Sequence, residues 1–386
     1  MRIGIDCRTI LNPSAGEKAG IAHYTYHLVK SLLDLDKTDD FVLFFDIRAR
    51  DVAKEFIRAN VKIVFFTFSE YKKYLPFFYS HVLVASNIIS EKLDVYHSPA
   101  NIIPLRYSGK FCITTHDLAI YRRPDLFPKS QGFSLKYIVP RSIHQAKKII
   151  AVSESTKRDI QEFFSVDQKK VKVIHEGVDH QRFSQSSTIE NSKEYLGEKY
   201  NIRNEYLLFV GTLEPRKNLI RLLEAFYRLL AGNPNYKSKY QLLLAGSLGW
   251  LYDTIFDEVK NRGLGENVLL PGYVDAEDLP TLYRNATIFI YPSLYEGFGL
   301  PVLEALTSGT PVITSDSSSM PEIAGDAALF VDPVDVEGMV SAMRRFLEDE
   351  KLRSNYSERA LLQAKKFSWE KCARETLDVY REVAGM

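Results

Sequence analysis

Residues 288–305 of the chain are IFIYPSLYEGFGLPVLEA, a short apolar run followed by a glycine-containing turn and then by a helical pattern. The run Ile288–Tyr291 predicts a buried β-strand, and residues 300–308 have the apolar spacing of an amphipathic helix. Pro301 falls in the first turn of that helix, where proline is tolerated. The stretch therefore predicts the strand–turn–helix unit from which parallel α/β folds are built.

The same alternation of short apolar runs and helical segments extends along the whole chain. The predicted strands are Ile3–Asp6, Phe41–Asp46, Val61–Thr67, Val95–His97, Phe111–Thr115, Ile149–Ser153, Leu207–Gly211, Gln241–Ala245, Val268–Leu270, Ile288–Tyr291, Val312–Thr314 and Ala328–Val331. Helical spacing occurs around residues 21–34, 218–231, 250–262, 300–308 and 335–347. Strands that alternate with helices in this way indicate parallel sheets.

A polar stretch rich in Ser, Asn, Lys and Glu, Ser184–Asn204, separates the two series of strands. We interpret it as an interdomain linker, and a length of 386 residues suits two domains. The sequence thus predicts an α/β protein with two Rossmann-like, doubly wound parallel-sheet domains, at residues 1–185 and 204–368. Because such sheets bind ligands at the carboxyl ends of their strands, we expect the domains to face a shared cleft.

The composition is that of a soluble globular protein, with 45% hydrophobic and 26% charged residues. Three cysteines, Cys7, Cys112 and Cys372, are too few and too widely spaced for a disulfide framework. The amino terminus enters a strand at once, without the regions of a signal peptide. No apolar run approaches the roughly 20 residues that span a bilayer. We therefore expect a cytoplasmic protein.

The charge is distributed unevenly between the two halves of the chain. Residues 1–185 contain 28 Lys and Arg against 20 Asp and Glu, whereas residues 186–386 contain 22 against 29. A basic front half favours an anionic acceptor or an anionic membrane surface. Residues 70–92 mix aromatic and lysine side chains, which suits either peripheral membrane contact or an acceptor pocket. The basic residues are scattered, so nucleic acid is not an expected partner.

The glycine turn of the quoted stretch favours an anionic ligand. Glycines permit close approach of a ligand to the backbone, and the amide groups and positive dipole that open a helix favour a pyrophosphate. The expected ligand-binding residues of the turn are Gly297, Phe298, Gly299 and Leu300. Glu296 precedes the helix and Glu304 lies inside it, so the two carboxylates can reach different hydroxyls of one extended ligand. A buried turn flanked by two solvated glutamates is the alternative.

A second cluster follows the first predicted strand of the second domain. The strand ends at Gly211, and Arg216 and Lys217 come next, just ahead of a helix that begins near Asn218. A guanidinium fork beside an ammonium point charge suits the two phosphates of a nucleoside diphosphate. A solvated surface turn is the alternative interpretation.

In the first domain, polar side chains follow several predicted strands. His116 and Asp117 follow the strand Phe111–Thr115, and Ser153 ends the strand that follows it. Gly20 lies in a glycine-bearing loop, residues 16–24, between the first strand and the first helix, where the backbone can approach the phosphates of a ligand. We expect Asp117 and Ser153 to line the cleft. For His116 alone, a structural role and a ligand contact both remain open.

Several of these segments resemble those of one enzyme family. Tyr295–Ala305 resembles the Glu-x7-Glu motif of the retaining family-4 glycosyltransferases, which have the two-Rossmann-domain GT-B fold. Thr115–Leu118, Ala151–Thr156 and Gly211–Asn218 look like the subgroup of bacterial mannosyltransferases that build O-antigen and other surface polysaccharides. Gly272–Val274 resembles the turn with which the family contacts the nucleobase.

The resemblance implies a reaction and a set of site residues. The catalytic residues would be Arg216, Lys217, Glu296 and His116. The donor-binding residues would be Gly20, Gly211, Tyr273, Val274, Gly297, Phe298, Gly299, Leu300 and Glu304. Arg216 and Lys217 would stabilise the departing diphosphate, Glu296 and His116 would contact the sugar, and Glu304 would hold the ribose. The transferred sugar would be mannose from GDP-mannose, and the acceptor a hydroxyl of a glycan or lipid-linked glycan.

The resemblance further implies retention of anomeric configuration, independence of metal ions and of any other cofactor, and a C-terminal helix, residues 369–386, that packs on the first domain. The acidic pair Asp34 and Asp36 is interpreted as a solvated helix end rather than a metal site. Three alternatives remain open at this point. They are a different UDP- or GDP-sugar donor, a sugar-nucleotide epimerase or hydrolase of the same fold, and a non-catalytic subunit that binds nucleotide sugars.

Overall fold

The computed structural model describes residues 1–11, 20–66, 79–127, 134–184 and 192–386. The chain divides into two compact units, Met1–Gly177 with Trp369–Met386, and Val178–Ser368. The boundary between the two units therefore lies after Gly177. The sequence predicts the end of the first domain slightly later, at residue 185.

Within the described residues of the first unit, seven parallel strands form a sheet with the order β3-β2-β1-β4-β5-β6-β7. They are β1 (Arg2–Asp6), β2 (Asp40–Asp46), β3 (Val61–Phe66), β4 (Val95–Ser98), β5 (Phe111–Thr115), β6 (Lys148–Ala151) and β7 (Val171–Val173). The central strands are buried and largely apolar, as expected when helices cover both faces of a parallel sheet. The strand order reverses between β1 and β4, which makes this the topological switch point of the sheet.

Helices and shorter helical turns surround this sheet. The helices are α1 (Gly20–Leu35), α2 (Arg50–Ala53), α3 (Val84–Ser90), α4 (Ala119–Arg122), α5 (Val139–Gln145), α6 (Glu154–Phe164) and the C-terminal helix (Trp369–Ala384). The shorter turns are Ile47–Ala49, Lys54–Phe56, Tyr79–Leu83, Pro124–Leu126, Ser134–Ile138 and Gln168–Lys170. The C-terminal helix packs on α1, where the ring of Trp369 stacks on that of His27 with centroids 5.2 Å apart.

Over the described residues of the second unit, six parallel strands form a sheet with the order β10-β9-β8-β11-β12-β13. They are β8 (Glu205–Val210), β9 (Tyr240–Ala245), β10 (Val268–Gly272), β11 (Ile288–Tyr291), β12 (Val312–Ser315) and β13 (Ala328–Val331). The order reverses between β8 and β11. Two doubly wound parallel sheets are thus present, which confirms the predicted α/β fold class.

The second unit also carries helices between its strands. They are α7 (His180–Phe183), α8 (Ser192–Tyr200), α9 (Leu219–Gly232), α10 (Pro234–Lys239), α11 (Asp253–Asn261), α12 (Leu279–Asn285), α13 (Leu300–Thr307), α14 (Met320–Ala324), α15 (Val336–Glu348) and α16 (Glu350–Ala364), and a 3₁₀ turn lies at Pro215–Lys217. Helix α9 shows why these segments are helical. Its buried residues, which recur every three or four positions, are Leu219, Leu222, Leu223, Ala225, Phe226, Leu229 and Leu230.

The stretch Ser184–Asn204, which its composition led us to interpret as a linker, is helical in its second half. Residues 185–191 lie outside the described residues, but Ser192–Tyr200 forms the helix α8. Leu196 is the buried residue of that helix, and the hydroxyl of Tyr195 and the ammonium of Lys199 both bond Asp278. A polar helix that is held mainly by side-chain bonds has no apolar stripe, so its periodicity is invisible in the sequence.

Two further expectations for the first unit need correction. Asp36 follows the end of α1 but is 7% exposed rather than solvated, because its Oδ1 accepts bonds from the amides of Thr38 and Asp39 and from the Thr38 hydroxyl. Residues 20–24 begin α1 and are not part of a loop, while residues 12–19 lie outside the described residues.

The aromatic and lysine-rich segment 70–92 is described only in part. Residues 70–78 lie outside the described ranges, and Val84–Ser90 forms α3. Among the helices that the structure describes, none combines the length and the apolar character needed to cross a membrane.

Candidate functional site

The loops that follow β8 and β11 meet at the switch point of the second sheet. The loop after β8 carries Arg216 and Lys217, and the loop after β11 carries Glu296. A backbone bond of 2.9 Å from the Leu294 amide to the Arg216 carbonyl joins the two loops. Open α/β sheets bind ligands at this place, outside the carboxyl ends of the strands where the strand order reverses.

Lys217 is buried at the centre of this cluster, with 6% of its surface exposed. Its Nζ donates to Oε1 of Glu296 and to the hydroxyl of Tyr291, both at 2.6 Å. The lysine is aimed inwards because the 3₁₀ turn Pro215–Lys217 ends at Asn218, which adopts a left-handed conformation with φ 63°. The Asn218 amide group donates to the carbonyls of Pro292 at 3.1 Å and Pro333 at 2.6 Å and so locks the turn.

Arg216 occupies the neighbouring position and bonds the same carboxylate. Its Nη1 donates to Oε2 of Glu296 at 2.9 Å and to the Tyr295 carbonyl at 3.2 Å. Its Nε donates to Oε1 of Glu214 at 3.0 Å. Two cations and two carboxylates are therefore interleaved, and each oxygen of Glu296 faces a different cation.

The charges decide the protonation state of Glu296. Burial alone would raise the pKa of this carboxyl, but the adjacent positive charges of Arg216 and Lys217 outweigh burial and lower the pKa to about 2. Burial and the nearby Arg216 lower the pKa of Lys217 from its usual range. Glu296 is consequently ionised at neutral pH, and it orients both cations by accepting a bond from each.

The glycine turn ahead of α13 has a conformation that its sequence dictates. Gly299 has φ +113°, a backbone conformation that residues with a Cβ atom rarely adopt, so glycine is favoured at this position. The Ser319 hydroxyl donates to the carbonyls of Glu296 at 3.1 Å and Phe298 at 2.7 Å. These bonds hold the turn ahead of α13, which begins at Leu300, and the first amide groups of a helix have no partner within it.

Phe298 is a core residue, because its side chain is buried. It is 5% exposed and packs edge-on against Phe367, with ring centroids 6.0 Å apart. Gly297 is likewise buried. What the turn can offer a ligand is therefore its backbone rather than the Phe298 ring.

Glu304 lies in the second turn of α13 and is partly buried. Its Oε2 accepts a bond of 2.8 Å from the hydroxyl of Tyr283 on α12. Burial raises the pKa of Glu304 to about 7, although the Tyr283 bond and the positive charge of Arg182 act in the opposite direction. This carboxyl therefore changes its charge near neutral pH, unlike Glu296.

Glycines terminate three adjacent strands of the second sheet. Gly211 follows β8, Gly246 follows β9 and Gly272 ends β10, with φ values of +155°, +149° and +76°. The Gly246 amide donates to the Gly272 carbonyl at 2.8 Å, and the Gly211 amide donates to the Ala245 carbonyl at 2.9 Å. The three glycines thus expose backbone, without side chains, beside the cation cluster formed by Arg216, Lys217 and Glu296.

In the turn Gly272–Val274, which follows these strands, one side chain is exposed and one is buried. Tyr273 is 45% exposed, whereas Val274 is 4% exposed and belongs to the core. Contact of Val274 with a ligand would therefore have to go through its backbone.

In the first unit, His116 is held through both nitrogens of its ring. Nδ1 lies 3.0 Å from Oε1 of Glu176, and Nε2 lies 3.1 Å from the carbonyl of Pro99. The edge of the Tyr24 ring packs against the imidazole, with centroids 4.7 Å apart. A carbonyl only accepts hydrogen bonds, so Nε2 is the donor to Pro99.

The other expected residues of the first unit have structural contacts. Oδ1 of Asp117 accepts a bond of 3.1 Å from the Ala119 amide at the start of α4. Ser153 is fully buried and caps α6 by accepting a bond of 3.0 Å from the Thr156 amide. Gly20 is the first residue of α1, and a Cβ there would meet no atom of the described residues within 4 Å.

Comparison with known proteins decides the family. The model for glycosyl transferases group 1 matches residues 193–363, and the model for Glycosyltransferase Family 4 matches residues 19–182. The O-antigen chain mannosyltransferase B of Escherichia coli is 36% identical over 291 residues, which are 74% of each chain. The chain is a family-4 glycosyltransferase. The predicted family membership is thereby confirmed.

Two further similarities agree with this assignment. A serotype-specific mannosyltransferase of Escherichia coli is 30% identical to the glycosyltransferase over 283 residues, which are 72% of this chain and 34% of that longer protein. The solved structure of a sucrose-phosphate synthase from Thermosynechococcus elongatus superimposes with a TM-score of 0.78 at 19% identity. That alignment covers 99% of this chain and 98% of the other. The second similarity establishes the shared GT-B fold.

Several residues of the glycosyltransferase that bond its predicted site residues were not predicted as site residues from the sequence. Glu214, Tyr283 and Tyr291 contact the cation cluster or Glu304, and Glu176 contacts His116. Tyr291 ends an apolar strand, so its sequence context indicates a core residue. The one local signal is Glu214, which lies two residues before Arg216.

Metal ligands were not predicted for the glycosyltransferase. In the ranges that the structure describes, no group of three or more His, Cys, Asp or Glu side chains is arranged to hold a metal ion.

Proposed function

We propose that the glycosyltransferase moves mannose from GDP-mannose to a hydroxyl of a glycan or lipid-linked acceptor in surface-polysaccharide synthesis, with retention of the anomeric configuration and without a metal ion. The names of the mannosyltransferases to which it is similar support the sugar and the pathway class. Membership of family 4 supports the nucleotide-sugar donor and the stereochemistry.

The observation that carries the proposal is the buried cluster of Arg216, Lys217 and Glu296 beside the glycine turn. As the bond from the sugar C1 to the β-phosphate oxygen breaks, negative charge grows on the departing diphosphate. Preorganised cations stabilise such charge most where water is excluded. Glu296 holds the two cations in place before the donor arrives and is itself proposed to accept hydrogen bonds from the sugar hydroxyls.

The acceptor hydroxyl supplies the atom that replaces the diphosphate. Its oxygen forms the new bond to C1, on the same face that the diphosphate leaves, and its proton passes to the departing phosphate oxygen. This transfer balances the charges without a separate base. The amides that open α13 are proposed to bind the diphosphate on its other side.

The remaining roles concern the ends of the donor. Glu304 is proposed to accept bonds from the ribose hydroxyls, and the turn Gly272–Val274 to contact the base through its backbone. His116 is proposed to contact the sugar, with Nε2–H turning from the Pro99 carbonyl to a sugar oxygen while Glu176 keeps hold of Nδ1. Gly20 and Gly211 are proposed to admit the donor phosphates close to the backbone.

The test is a thermal-shift screen of nucleotide sugars followed by product analysis. We expect GDP-mannose to raise the melting temperature and mannose to be transferred when an acceptor glycan and a chelator are both present. Stabilisation by a UDP-sugar alone would show that the donor is not GDP-mannose, and loss of activity with the chelator would overturn metal independence.

The alternative functions give different products. Consumption of the donor without an acceptor would indicate an epimerase or hydrolase, and binding without any turnover would indicate a non-catalytic subunit. No shift with any nucleotide sugar would overturn the proposal.

Peripheral contact of the basic first half with an anionic membrane is proposed on its charge alone. Co-sedimentation with vesicles of phosphatidylglycerol, compared with neutral vesicles, tests it. Equal recovery in the supernatant with both kinds of vesicle would contradict it.

A further inference from the structure

Asp278 stands directly before α12, at the position where an aspartate normally caps a helix. Its side chain makes no such cap. Instead its two oxygens accept bonds from three side chains of α8: Tyr195 at 3.0 Å, Lys199 at 2.6 Å and Tyr200 at 2.5 Å. The start of α12 is therefore bound to α8 through the carboxylate of Asp278.

This carboxylate is ionised and largely inaccessible. Asp278 is 3% exposed, and burial alone would raise its pKa, but the bonds from Lys199, Tyr200 and Tyr195 outweigh burial and lower the pKa. Lys199 also donates to Asp275 at 2.9 Å, in the turn that leads into α12. A buried charge depends on its partner more than a surface charge does, because loss of the partner leaves the charge uncompensated.

A second connection holds the middle of the same turn. The guanidinium of Arg182, on α7, donates to the carbonyl of Ala276. Asp179 caps that short helix by accepting a bond of 3.0 Å from the Arg182 amide. The segment from Asp275 to Asp278 is thus held by α7 through Ala276 and by α8 through Asp275 and Asp278.

Helix α12 also contacts a second element of the donor site, the carboxylate of Glu304. Tyr283, five residues after Asp278 and fully buried, donates to Oε2 of Glu304 at 2.8 Å. The restrained segment Asp275–Asp278 thus joins the turn Gly272–Val274 directly to α12, and α12 places the Tyr283 hydroxyl against the carboxylate of Glu304. The cation cluster is fixed by other groups, because Arg216 and Lys217 are bonded to Glu214, Tyr291 and Glu296.

We propose that Lys199 and Tyr200 are positioning residues for the nucleoside half of the donor, acting through Asp278 on the turn Gly272–Val274 and on Glu304. The inference rests on the proposed function in one respect, namely that these two elements bind the base and the ribose. The diphosphate half of the site is independent of this connection. Loss of the connection therefore weakens recognition of the nucleoside and leaves recognition of the diphosphate unchanged.

The experiment compares ligands that contain the nucleoside with one that does not. Binding of guanosine diphosphate, uridine diphosphate and inorganic pyrophosphate is measured by calorimetry on the full chain, for the wild type, Lys199→Met and Tyr200→Phe. Lys193→Met is the matched control, since Lys193 is an exposed lysine on the same helix. Melting temperatures show that each variant is folded, and Tyr200→Phe is the milder change if Lys199→Met folds poorly.

For Lys199→Met we expect the Kd of the preferred nucleoside diphosphate to rise about tenfold, and the Kd of pyrophosphate to change less than about twofold. The KM for the donor should rise by a similar factor while kcat stays within about twofold, because the chemistry occurs at the diphosphate half. Tyr200→Phe should show the same selectivity with a smaller effect, and Lys193→Met should match the wild type.

Two results overturn the inference. Equal weakening of pyrophosphate and nucleoside diphosphate shows a general loss of structure, and unchanged binding of both shows that α8 does not position the site. If the wild type binds pyrophosphate but neither nucleoside diphosphate, the proposed function fails as well. That outcome is seen in the wild type alone and is thus distinguishable from a failure of the positioning role.

Discussion

The Nζ atom of Lys217 and the Oε1 atom of Glu296 lie 2.6 Å apart, and each side chain is 8% exposed. The two residues are 79 positions apart in the chain and are brought together by loops at the switch point of the second sheet. A buried pair of this kind orients charge but adds little net stability, because desolvation offsets the attraction between the ions. Its contribution to function should therefore exceed its contribution to folding.

Replacement of Lys217 by Ala should lower turnover at least about tenfold, which corresponds to about 1.4 kcal/mol in the activation barrier. The physical reason is that the ammonium stabilises charge that grows on the departing diphosphate. Initial rates at saturating donor and acceptor measure the effect. Lys260→Ala, at an exposed lysine on α11, is the control. Wild-type turnover in a folded Lys217→Ala protein would remove this residue from the mechanism.

The stability of the cluster should be non-additive. Lys217→Met alone leaves Glu296 with one cation instead of two and should lower the free energy of unfolding by about 3 kcal/mol. Adding Glu296→Gln removes the excess negative charge and leaves Arg216 paired with Glu214, so the double variant should recover part of the loss, about 1–2 kcal/mol. Urea denaturation of the single and double variants measures the coupling. Strictly additive changes would show that the two side chains do not interact energetically.

The residues that the sequence predicts and those that it misses differ in the range of their interactions. Glu296, Glu304, Arg216 and Lys217 lie beside strands and helices whose periodicity is local, so their placement follows from the strand–turn–helix pattern. The contact between Lys199 and Asp278 depends on three-dimensional packing of distant segments, and the polar composition of α8 hides it.

Short or weakly apolar elements are missed for a related reason. The strand β7 has three residues, Val171–Val173, at the edge of its sheet, too few for a period to show. Helix α16 buries only Ala360, Gln363 and Ala364 among its fifteen residues, so it has no apolar stripe. In both cases the tertiary structure, rather than the local pattern, stabilises the element.

Glu304 should make stability depend on pH. Burial raises its pKa from 4.5 to about 7, so the folded chain binds this proton more tightly than the unfolded chain does. Stability from this group is therefore highest below pH 4.5 and declines as the pH rises to about 7, by up to about 3 kcal/mol. Glu304→Gln removes the charge and should be relatively more stable than the wild type at pH 8 than at pH 5.

Urea denaturation at pH 5 and pH 8 measures this difference, and Glu277→Gln, at an exposed position before α12, is the control. Affinity for the donor should show the opposite trend. The ribose hydroxyls donate hydrogen bonds to an ionised carboxylate, so binding of guanosine diphosphate by the wild type should strengthen between pH 6 and pH 8. A pH-independent difference between the wild type and Glu304→Gln, in stability and binding alike, would show that Glu304 does not titrate in this range.

Gly246 should tolerate no side chain, because a Cβ atom there would lie 1.9 Å from the Gly211 carbonyl oxygen and φ is +149°. Gly246→Ala must therefore push apart the ends of β8 and β9, and we expect it to lower the free energy of unfolding by about 2–5 kcal/mol. The displaced backbone leads directly to Arg216 and Lys217, so turnover should fall together with stability.

Gly265→Ala is the matched control, since a Cβ at Gly265 meets no atom of the described residues within 4 Å. Denaturation midpoints and initial rates measured on both variants separate the two effects. A Gly246→Ala protein as stable and active as Gly265→Ala would mean that the two strand ends can separate without disturbing the cation cluster.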